Sequence, residues 1–198
     1  MKKVVLIVSI IFGLLIILFI LIQIYFYKIS HDIEEYKYVV TETYDDFEIR
    51  QYETSLFCTV QLKTSNYENA SKKGFAILGG YIFGDNEEGA KIPMTSPVSM
   101  TIDKEINMMF LIPKEFTKEK LPKPKNSNIR FIEIPKKKFA AINFSGWASQ
   151  SKIDYHQKKL IKLLEYNDIK FSNNFLFLGY NSPFEIFFRK NEVMVELE

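Results

Sequence analysis

The segment that decides the fold is the run at residues 65–86, SNYENASKKGFAILGGYIFGDN. Ser65 followed by Glu68 is typical of a capping box, in which the two side chains satisfy free amides at the start of a helix. Apolar residues then recur with a helical period until Gly84, where the pattern stops. The sequence therefore predicts an amphipathic helix over residues 65–84 that packs one face against a core.

A second helix is predicted with the same start signal, Ser151 followed by Asp154. It begins 86 positions after Ser65, and the dipeptides Ser96-Pro97 and Ser182-Pro183 are also 86 positions apart. Two short aromatic and β-branched segments precede each helix and two follow it, which is typical of strands. The sequence predicts a duplicated ββαββ unit, an α+β domain in which two curved sheets close against each other around a ligand cleft. The predicted strands are residues 47–52, 55–62, 98–103, 107–112, 129–134, 139–145, 175–180 and 184–197.

The N-terminal segment is apolar. From Val4 to Ile22 only two of nineteen consecutive residues are neither aliphatic nor aromatic. Nineteen helical residues reach about 29 Å, close to the ~30 Å hydrocarbon core of a bilayer. Aromatic residues at 25–27 stand where a cleavable signal peptide would have small ones. We expect a single-pass transmembrane anchor over residues 1–28, with lipid contact through residues 4–27.

Charge predicts the orientation of this anchor. Lys2 and Lys3 precede it, whereas positive and negative residues are mixed from Lys28 to Glu35. The positive-inside rule therefore predicts that the soluble domain lies on the periplasmic or extracytoplasmic side. We expect residues 29–43 to form a polar stalk and residues 44–198 to form the soluble domain.

Composition excludes several functional classes. The chain of 198 residues has 26 basic and 24 acidic side chains, and from Ile29 onward the balance is 23 to 24. Such a near-neutral domain lacks the clustered positive charge that nucleic-acid binding needs, so no nucleic-acid partner is expected. Cys58 is the single cysteine, which excludes an intrachain disulfide and a zinc site built on several cysteines.

Few residues are candidates for chemistry. The sequence contains no nucleophile elbow, phosphate-binding loop, dinucleotide fingerprint or zinc-protease motif. His156 lies on the apolar stripe of the second helix, where a hydrogen-bonded histidine at the core boundary is a simpler interpretation than a metal ligand. Lys72 and Lys73 precede Gly74-Phe75, so they either place cations beside an apolar face, as an anionic amphiphile requires, or are ordinary surface lysines.

Several ordered motifs resemble one family. Residues 47–52, FEIRQY, look like the pattern Y-E-[VI]-R-x-Y, and residues 74–86 and 91–98 look like G-F-x-x-L-x-x-Y-I-x-G-x-N and K-I-x-M-T-x-P-V. Together with matching segments further along, they resemble the SOUL haem-binding protein family from Tyr44 to Leu197. The resemblance implies a distorted β-barrel of two repeats, with one helix on each.

The resemblance also implies a ligand, haem or a related tetrapyrrole, in a shallow apolar groove beside the first helix. Carried onto this chain, the groove consists of Lys72, Lys73, Phe75, Leu78 and Gly79. A porphyrin is a flat apolar disc with two carboxylates, so apolar walls, a glycine that allows close approach and a cation at one edge suit it.

Two motif positions qualify this expectation. Gln51 stands where some family members have histidine, so we expect haem to bind without strong axial histidine ligation, and His156 remains the candidate metal ligand. The segment from Met94 to Pro97 fits a tight turn that buttresses the barrel better than direct ligand contact. The expected function is a membrane-anchored binder, acting as buffer, carrier or sensor, and not an enzyme.

Two alternatives stay open. The same architecture resembles the effector-binding domains of bacterial regulators, which bind other amphiphilic small molecules, and acidic residues at the seam would favour apolar cations. The second alternative is a hydrolase that uses a glutamate of the cleft. Its candidates are Glu48, Glu133 and Glu185, which equally suit a role as partners of Arg50, Arg130 and Arg189.

Overall fold

The computed structural model describes residues 2–198. Its three α-helices in that range are α1 (Lys2–His31), α2 (Tyr67–Ile82) and α3 (Gln150–Tyr166). The strands are β1 (Glu34–Glu35), β2 (Tyr38–Thr43), β3 (Glu48–Tyr52), β4 (Ser55–Leu62), β5 (Thr95–Ser96), β6 (Val98–Thr101), β7 (Ile106–Leu111), β8 (Ile129–Ile134), β9 (Lys137–Ser145), β10 (Phe171–Gly179) and β11 (Lys190–Leu197).

Nine strands form one curled sheet in the order β2-β3-β9-β11-β10-β6-β7-β4-β8. The two repeats, β3-β4-α2-β6-β7 and β8-β9-α3-β10-β11, meet where β6 pairs with β10 and Met100 lies opposite Phe177. The first strand of each repeat pairs with the second strand of the other, β3 with β9 and β8 with β4. The predicted duplicated α+β fold is confirmed, although the halves share one continuous sheet and are not two separate sheets.

Residues 29–43 differ from the expected stalk. Tyr38–Thr43 pairs antiparallel with β3 at the edge of the large sheet, and β1 pairs in parallel with β5. The side chain of Tyr36, between these strands, is buried. β-branched and aromatic residues at positions 38–41 favour a strand, and the charged residues around them concealed that pattern.

Side chains alternate between two cores, one on each face of the sheet. The core beneath α2 and α3 includes Leu78, Phe110, Leu160 and Val193. The opposite face carries a second core of aromatic and aliphatic side chains. Its buried members are Tyr36, Tyr52, Phe57, Met109, Leu111, Phe139, Ala141, Leu178 and Met194.

Both helices begin at residues other than those predicted. The Asn66 side chain caps α2 by accepting a hydrogen bond from the Asn69 amide at 2.9 Å. Ser149 caps α3 by accepting from the Lys152 amide at 3.4 Å. Ser65 therefore precedes its cap by one residue, and Ser151 follows its cap by two. The caps lie 83 residues apart instead of 86.

The last predicted strand is shorter than expected. β11 begins at Lys190, and the residues before it form a loop in which Phe188 has a φ of 55°. The apolar run at 184–188 reads as a strand in sequence, but its side chains are solvent-exposed apart from Glu185. Four of them are large apolar groups.

The apolar α1 stands outside both cores. The span Lys2–Ile29 is the one helix, within residues 2–198, that is long and apolar enough to cross a membrane. An N-terminal signal sequence can satisfy the same criteria of length and apolar composition.

Candidate ligand-binding site

The five predicted groove residues divide between the surface and the interior of α2. Lys72 and Lys73 are exposed, and Phe75 is 37% exposed. The assignment of Leu78 to the groove is corrected: its side chain is fully buried in the core, in line with the buried residues Ala70, Gly74 and Tyr81. Leu78 therefore supports the helix from within and does not line a surface groove.

The outer side of α2 carries an aromatic shelf, which we define as Phe75, Gly79 and Phe83. Gly79 itself is buried beneath the two rings. A Cβ placed on Gly79 would lie 3.2 Å from Phe75 Cε1 and 3.7 Å from Phe83 Cε2, so both rings converge over this glycine. The ring of Phe75 also contacts Phe110, with centroids 5.5 Å apart. Lys72 lies on the same face, because residues three and four apart align along a helix.

Phe83 is the site residue that the sequence reasoning missed. It is 58% exposed and caps the C-terminus of α2. The buried Asn86 side chain fixes the turn that follows, since its amide donates to the carbonyls of Tyr81 and Ala90 at 3.0 and 2.7 Å. Gly84 has a φ of 112°, which favours glycine. The G-D-N sequence after Phe83 could have indicated this rigid turn.

The seam between the repeats is open on the helix side. A cleft of about 510 Å³ lies between the N-termini of α2 and α3, with Met100 and Phe177 among its lining residues. Lys72 and Lys73 do not line it. Asp103 and Lys104 supply one acid and one base at its edge. The lining therefore has neither the purely acidic character that suits a cation nor the purely basic one that suits two propionates.

The N-termini of the two helices are joined beside this cleft. The Tyr67 amide donates to Gln150 Oε1 at 2.8 Å, and the Gln150 amide donates to Glu68 Oε1 at 3.2 Å. These bonds satisfy amides that a helix start leaves free. They fix the width of the cleft at the point where the repeats meet.

The opposite face of the sheet contains a buried ion pair. Arg50 Nη1 lies 2.9 Å from Glu192 Oε2, and both side chains are buried. Arg50 Nη2 also lies 2.8 Å from Glu48, its guanidinium stacks 4.4 Å from the ring of Tyr38, and the Tyr180 hydroxyl donates to Glu192 at 2.6 Å. A buried carboxylate among tyrosine rings would suit an apolar cation. In this chain Arg50 already occupies that position.

Electrostatics in this cluster favour the ion pair. Burial opposes the charge of Arg50, but the neighbouring Glu192 carboxylate outweighs it and raises the pKa of the guanidinium. Burial, together with the charge of Glu192, raises the pKa of Tyr180 well above its ordinary value. Both Arg50 and Tyr180 therefore stay protonated at neutral pH and stabilise the Glu192 carboxylate.

His156 lies on α3, in the other repeat from the aromatic shelf. Its Nδ1 is 2.8 Å from the Lys152 carbonyl oxygen, and its ring stacks on Phe144 with centroids 4.2 Å apart. Because a carbonyl oxygen only accepts, Nδ1 is the donor in this hydrogen bond. Across residues 2–198, no group of three or more His, Cys, Asp or Glu side chains is placed to hold a metal ion.

The three candidate catalytic glutamates lie apart. Glu48 is paired with Arg50 on β3, whereas Glu133 is exposed on β8 at the far edge of the sheet. The carboxylate of buried Glu185 accepts from Asn181 at 2.6 Å. The paired carboxylates that acid–base hydrolysis uses are therefore absent from this set.

The remaining motif residues have structural contacts. The Thr95 hydroxyl donates to the Leu111 carbonyl at 2.7 Å, and the Ser96 hydroxyl donates to the Tyr180 carbonyl at 3.4 Å. Both side chains are buried, which agrees with a buttressing turn. Burial raises the pKa of the Cys58 thiol to about 12, as expected for a core residue.

Comparison with known proteins decides the family. The family model described as SOUL heme-binding protein matches residues 33–196, which includes the strands β1 and β2. The chain belongs to the SOUL heme-binding protein family. Heme-binding protein 1 of Xenopus laevis is 26% identical over 155 residues, covering 74% of this chain and 81% of that protein. Heme-binding protein 2 of Mus musculus is 28% identical over 156 residues, covering 74% and 76%.

A solved structure of low sequence identity has a similar fold. The C-terminal domain of EcmrR superposes with a TM-score of 0.60 at 13% identity, covering 77% of this chain and 96% of that chain. At such low identity the likeness extends to the fold alone. It agrees with the duplicated α+β architecture described above.

Proposed function

We propose that this SOUL-family chain is a membrane-anchored protein that binds haem or a related tetrapyrrole on the aromatic shelf of α2. The observation that carries the proposal is the pair of exposed rings, Phe75 and Phe83, over Gly79 with Lys72 on the same helical face. The family assignment supports tetrapyrrole binding in general. The exposed rings and Lys72 support a location for that binding on α2.

The chemistry of the shelf suits a flat apolar disc with carboxylates at one edge. Contact with the disc would remove the exposed parts of both phenylalanine rings from water, at roughly 25 cal/mol per Å² of apolar surface. A small outward movement of the rings would let the disc approach the backbone at Gly79, which has no side chain. Lys72 lies about one turn before Phe75 on the same face, and Lys73 follows it at the flank of that face. Both would pair with the propionates.

We propose that iron coordination by histidine contributes little to binding. His156 is the histidine whose side chain the structure describes, and it lies on α3 with its ring against Phe144. Haem supplies an iron centre whose chemistry depends on axial ligands. In this chain the described residues instead hold the disc by apolar contact and charge, so a bis-histidine spectrum is not expected.

The apolar α1 is proposed to anchor the domain in a bilayer through residues 4–27. Its length and its exposed apolar surface support this proposal. The distribution of Lys2, Lys3 and the mixed charges from Lys28 onward favours an extracytoplasmic domain. A tethered binder would act as a buffer, carrier or sensor. We propose binding and not catalysis, because Glu48, Glu133 and Glu185 lie apart.

A hemin titration of the full chain in lipid nanodiscs, followed by visible absorption, tests the site. The double variant Lys72→Glu/Lys73→Glu should bind about five- to tenfold more weakly, because two exposed ion pairs worth roughly 0.2–1 kcal/mol each are lost and replaced by repulsion. The matched control, Lys158→Glu/Lys162→Glu, makes the same charge change on exposed residues of α3. Equal affinities for the two double variants would overturn the assignment to α2.

A second candidate function is the binding of another amphiphile in the seam cleft. The supporting observation is its volume of about 510 Å³, with Met100 and Phe177 in the lining and Asp103 at the edge. Gln157→Trp would fill this cleft from α3 without touching the shelf. Loss of tetraphenylphosphonium binding in this variant, with hemin binding retained, would favour the second candidate for that ligand.

A further inference from the structure

The loop between β10 and β11 presents an apolar surface to solvent. Four large apolar side chains lie close together in its sequence and are 44–86% exposed: Phe184, Ile186, Phe187 and Phe188. A contiguous exposed apolar patch on a protein domain usually marks a contact with a partner or a membrane. Glu185, between them, points inward and is buried.

This loop packs against α1. The rings of Phe26 and Phe184 are stacked with centroids 5.1 Å apart, and the rings of Phe19 and Phe187 meet edge-on at 6.3 Å. An apolar cleft of about 660 Å³ lies between α1 and the loop, with Ile24 among its lining residues. The exposed rings are therefore continuous with the apolar surface of α1.

The contacts place the loop within the apolar length of α1. Phe19 lies three residues before Ile22, the end of the uninterrupted apolar run, so it is about 4.5 Å inside that end at 1.5 Å per residue. Phe187, which contacts Phe19, lies at the same level. Interfacial protein segments bury their apolar side chains roughly 5–10 Å into the bilayer boundary.

Gln23 is the polar residue that interrupts this part of α1, and its side chain hydrogen-bonds to the backbone of the loop. Its amide oxygen accepts from the Ile186 amide at 3.0 Å, and its amide nitrogen donates to the Phe184 carbonyl at 3.4 Å. Arg189 donates from Nη1 to the carbonyls of Ser182 and Glu185 at 2.9 and 2.6 Å. A loop at membrane depth needs such internal partners for its backbone.

We propose that residues 183–188 insert into the membrane leaflet on the side of the soluble domain, next to the C-terminal part of α1. Lipid acyl chains would occupy the cleft between the loop and α1. The proposal rests on the proposed anchoring by α1 and is independent of haem binding. Two attachments, a spanning helix and an inserted loop, would fix the orientation of the domain on the membrane. The β10–β11 end of the sheet would then face the bilayer.

Depth-dependent fluorescence quenching tests this proposal on the full chain. Trp147→Phe removes the single tryptophan, and Phe187→Trp introduces a new one in the loop. The variant is reconstituted into phosphatidylcholine vesicles whose lipids are brominated either near the headgroup or near the end of the acyl chain. Since interfacial insertion reaches roughly 5–10 Å, we expect at least about twofold stronger quenching by the shallow bromines than for the control Tyr166→Trp. Tyr166 is 86% exposed on α3.

Two further variants separate the possible results. Phe12→Trp lies in the middle of the apolar run and should be quenched most by the deep bromines if α1 spans the bilayer. Phe188→Trp changes the most exposed ring of the loop, so it repeats the test at a position where misfolding is least expected. Quenching at Phe12→Trp, with both loop variants no more quenched than Tyr166→Trp, would overturn loop insertion and leave the anchor intact. Absence of quenching at Phe12→Trp would overturn both.

Discussion

The two repeats have the same scaffold but different outer surfaces. Each contributes four strands and one side-chain-capped helix, and the helices begin 83 residues apart. The outer face of α2 carries Lys72 and the aromatic shelf, Phe75, Gly79 and Phe83. The corresponding face of α3 is more polar, and its exposed residues include Tyr155, Lys158, Lys162 and Tyr166.

The inner faces differ as well. Gly74 brings α2 close to the sheet, since a Cβ there would lie 2.8 Å from Met108 Sδ and 3.0 Å from Leu62 Cδ1. α3 packs instead through larger side chains, Leu160 and Leu164. Duplication thus permits one helix to keep a plain packing role while the surface of the other changes.

The largest difference is expected between the first strands, β3 and β8. Arg50→Leu leaves the Glu192 carboxylate buried without its partner, which should lower the free energy of unfolding by about 3–5 kcal/mol. Arg130→Leu on β8 changes an exposed arginine and should lower the free energy of unfolding by no more than about 0.5 kcal/mol. Thermal or denaturant unfolding of the full chain in detergent measures both. Similar losses in the two variants would contradict the role of the buried pair.

The close approach of α2 predicts an intermediate effect. Gly74→Ala and Gly80→Ala both remove a helical glycine, which favours the helix by about 1 kcal/mol. At Gly80 the added Cβ has room, 3.8 Å from Asp85, whereas at Gly74 it forces Met108 and Leu62 to move. Overpacking costs about 1–3 kcal/mol, so we expect Gly74→Ala to be less stable than Gly80→Ala by about 1–2 kcal/mol. Equal melting temperatures would show that the contact is looser than described.

The helix caps predict the smallest effect. Asn66→Ala should lower the free energy of unfolding by about 1 kcal/mol, because it removes the acceptor for the Asn69 amide. Ser149→Ala should cost less, since its bond of 3.4 Å is longer. Ser65→Ala, adjacent to the true cap, should leave stability nearly unchanged. A larger loss at Ser65 than at Asn66 would contradict the observed start of α2.

Regular features were predictable from the sequence because they depend on local pattern. The helical period of residues 67–82 and the matching unit around residues 150–166 were sufficient to predict a duplicated fold. The cap of α2 was misplaced by one residue because serine and asparagine cap almost equally well. The local preferences of Ser65 and Asn66 are too similar to predict which one is the N-cap. The path of the preceding chain determines the cap position.

Other features depend on contacts between distant residues. Arg50 and Glu192 are 142 positions apart, so only the pairing of β3, β9 and β11 brings them together. The apolar loop at 184–188 resembled a strand because its partner, α1, lies far away in sequence. Leu78 was assigned to a groove by family resemblance, although the helical period places it in the core.

The difference between α2 and α3 can be measured most directly by hemin affinity of two matched double variants. Phe75→Ser/Phe83→Ser removes the exposed rings of the shelf, and Tyr155→Ser/Tyr166→Ser removes two exposed rings of α3. Titrations in nanodiscs should show hemin binding at least about tenfold weaker for the first variant, a change of roughly 1.4 kcal/mol, and unchanged for the second. Equal affinities, or a greater loss on α3, would contradict a tetrapyrrole site on the aromatic shelf.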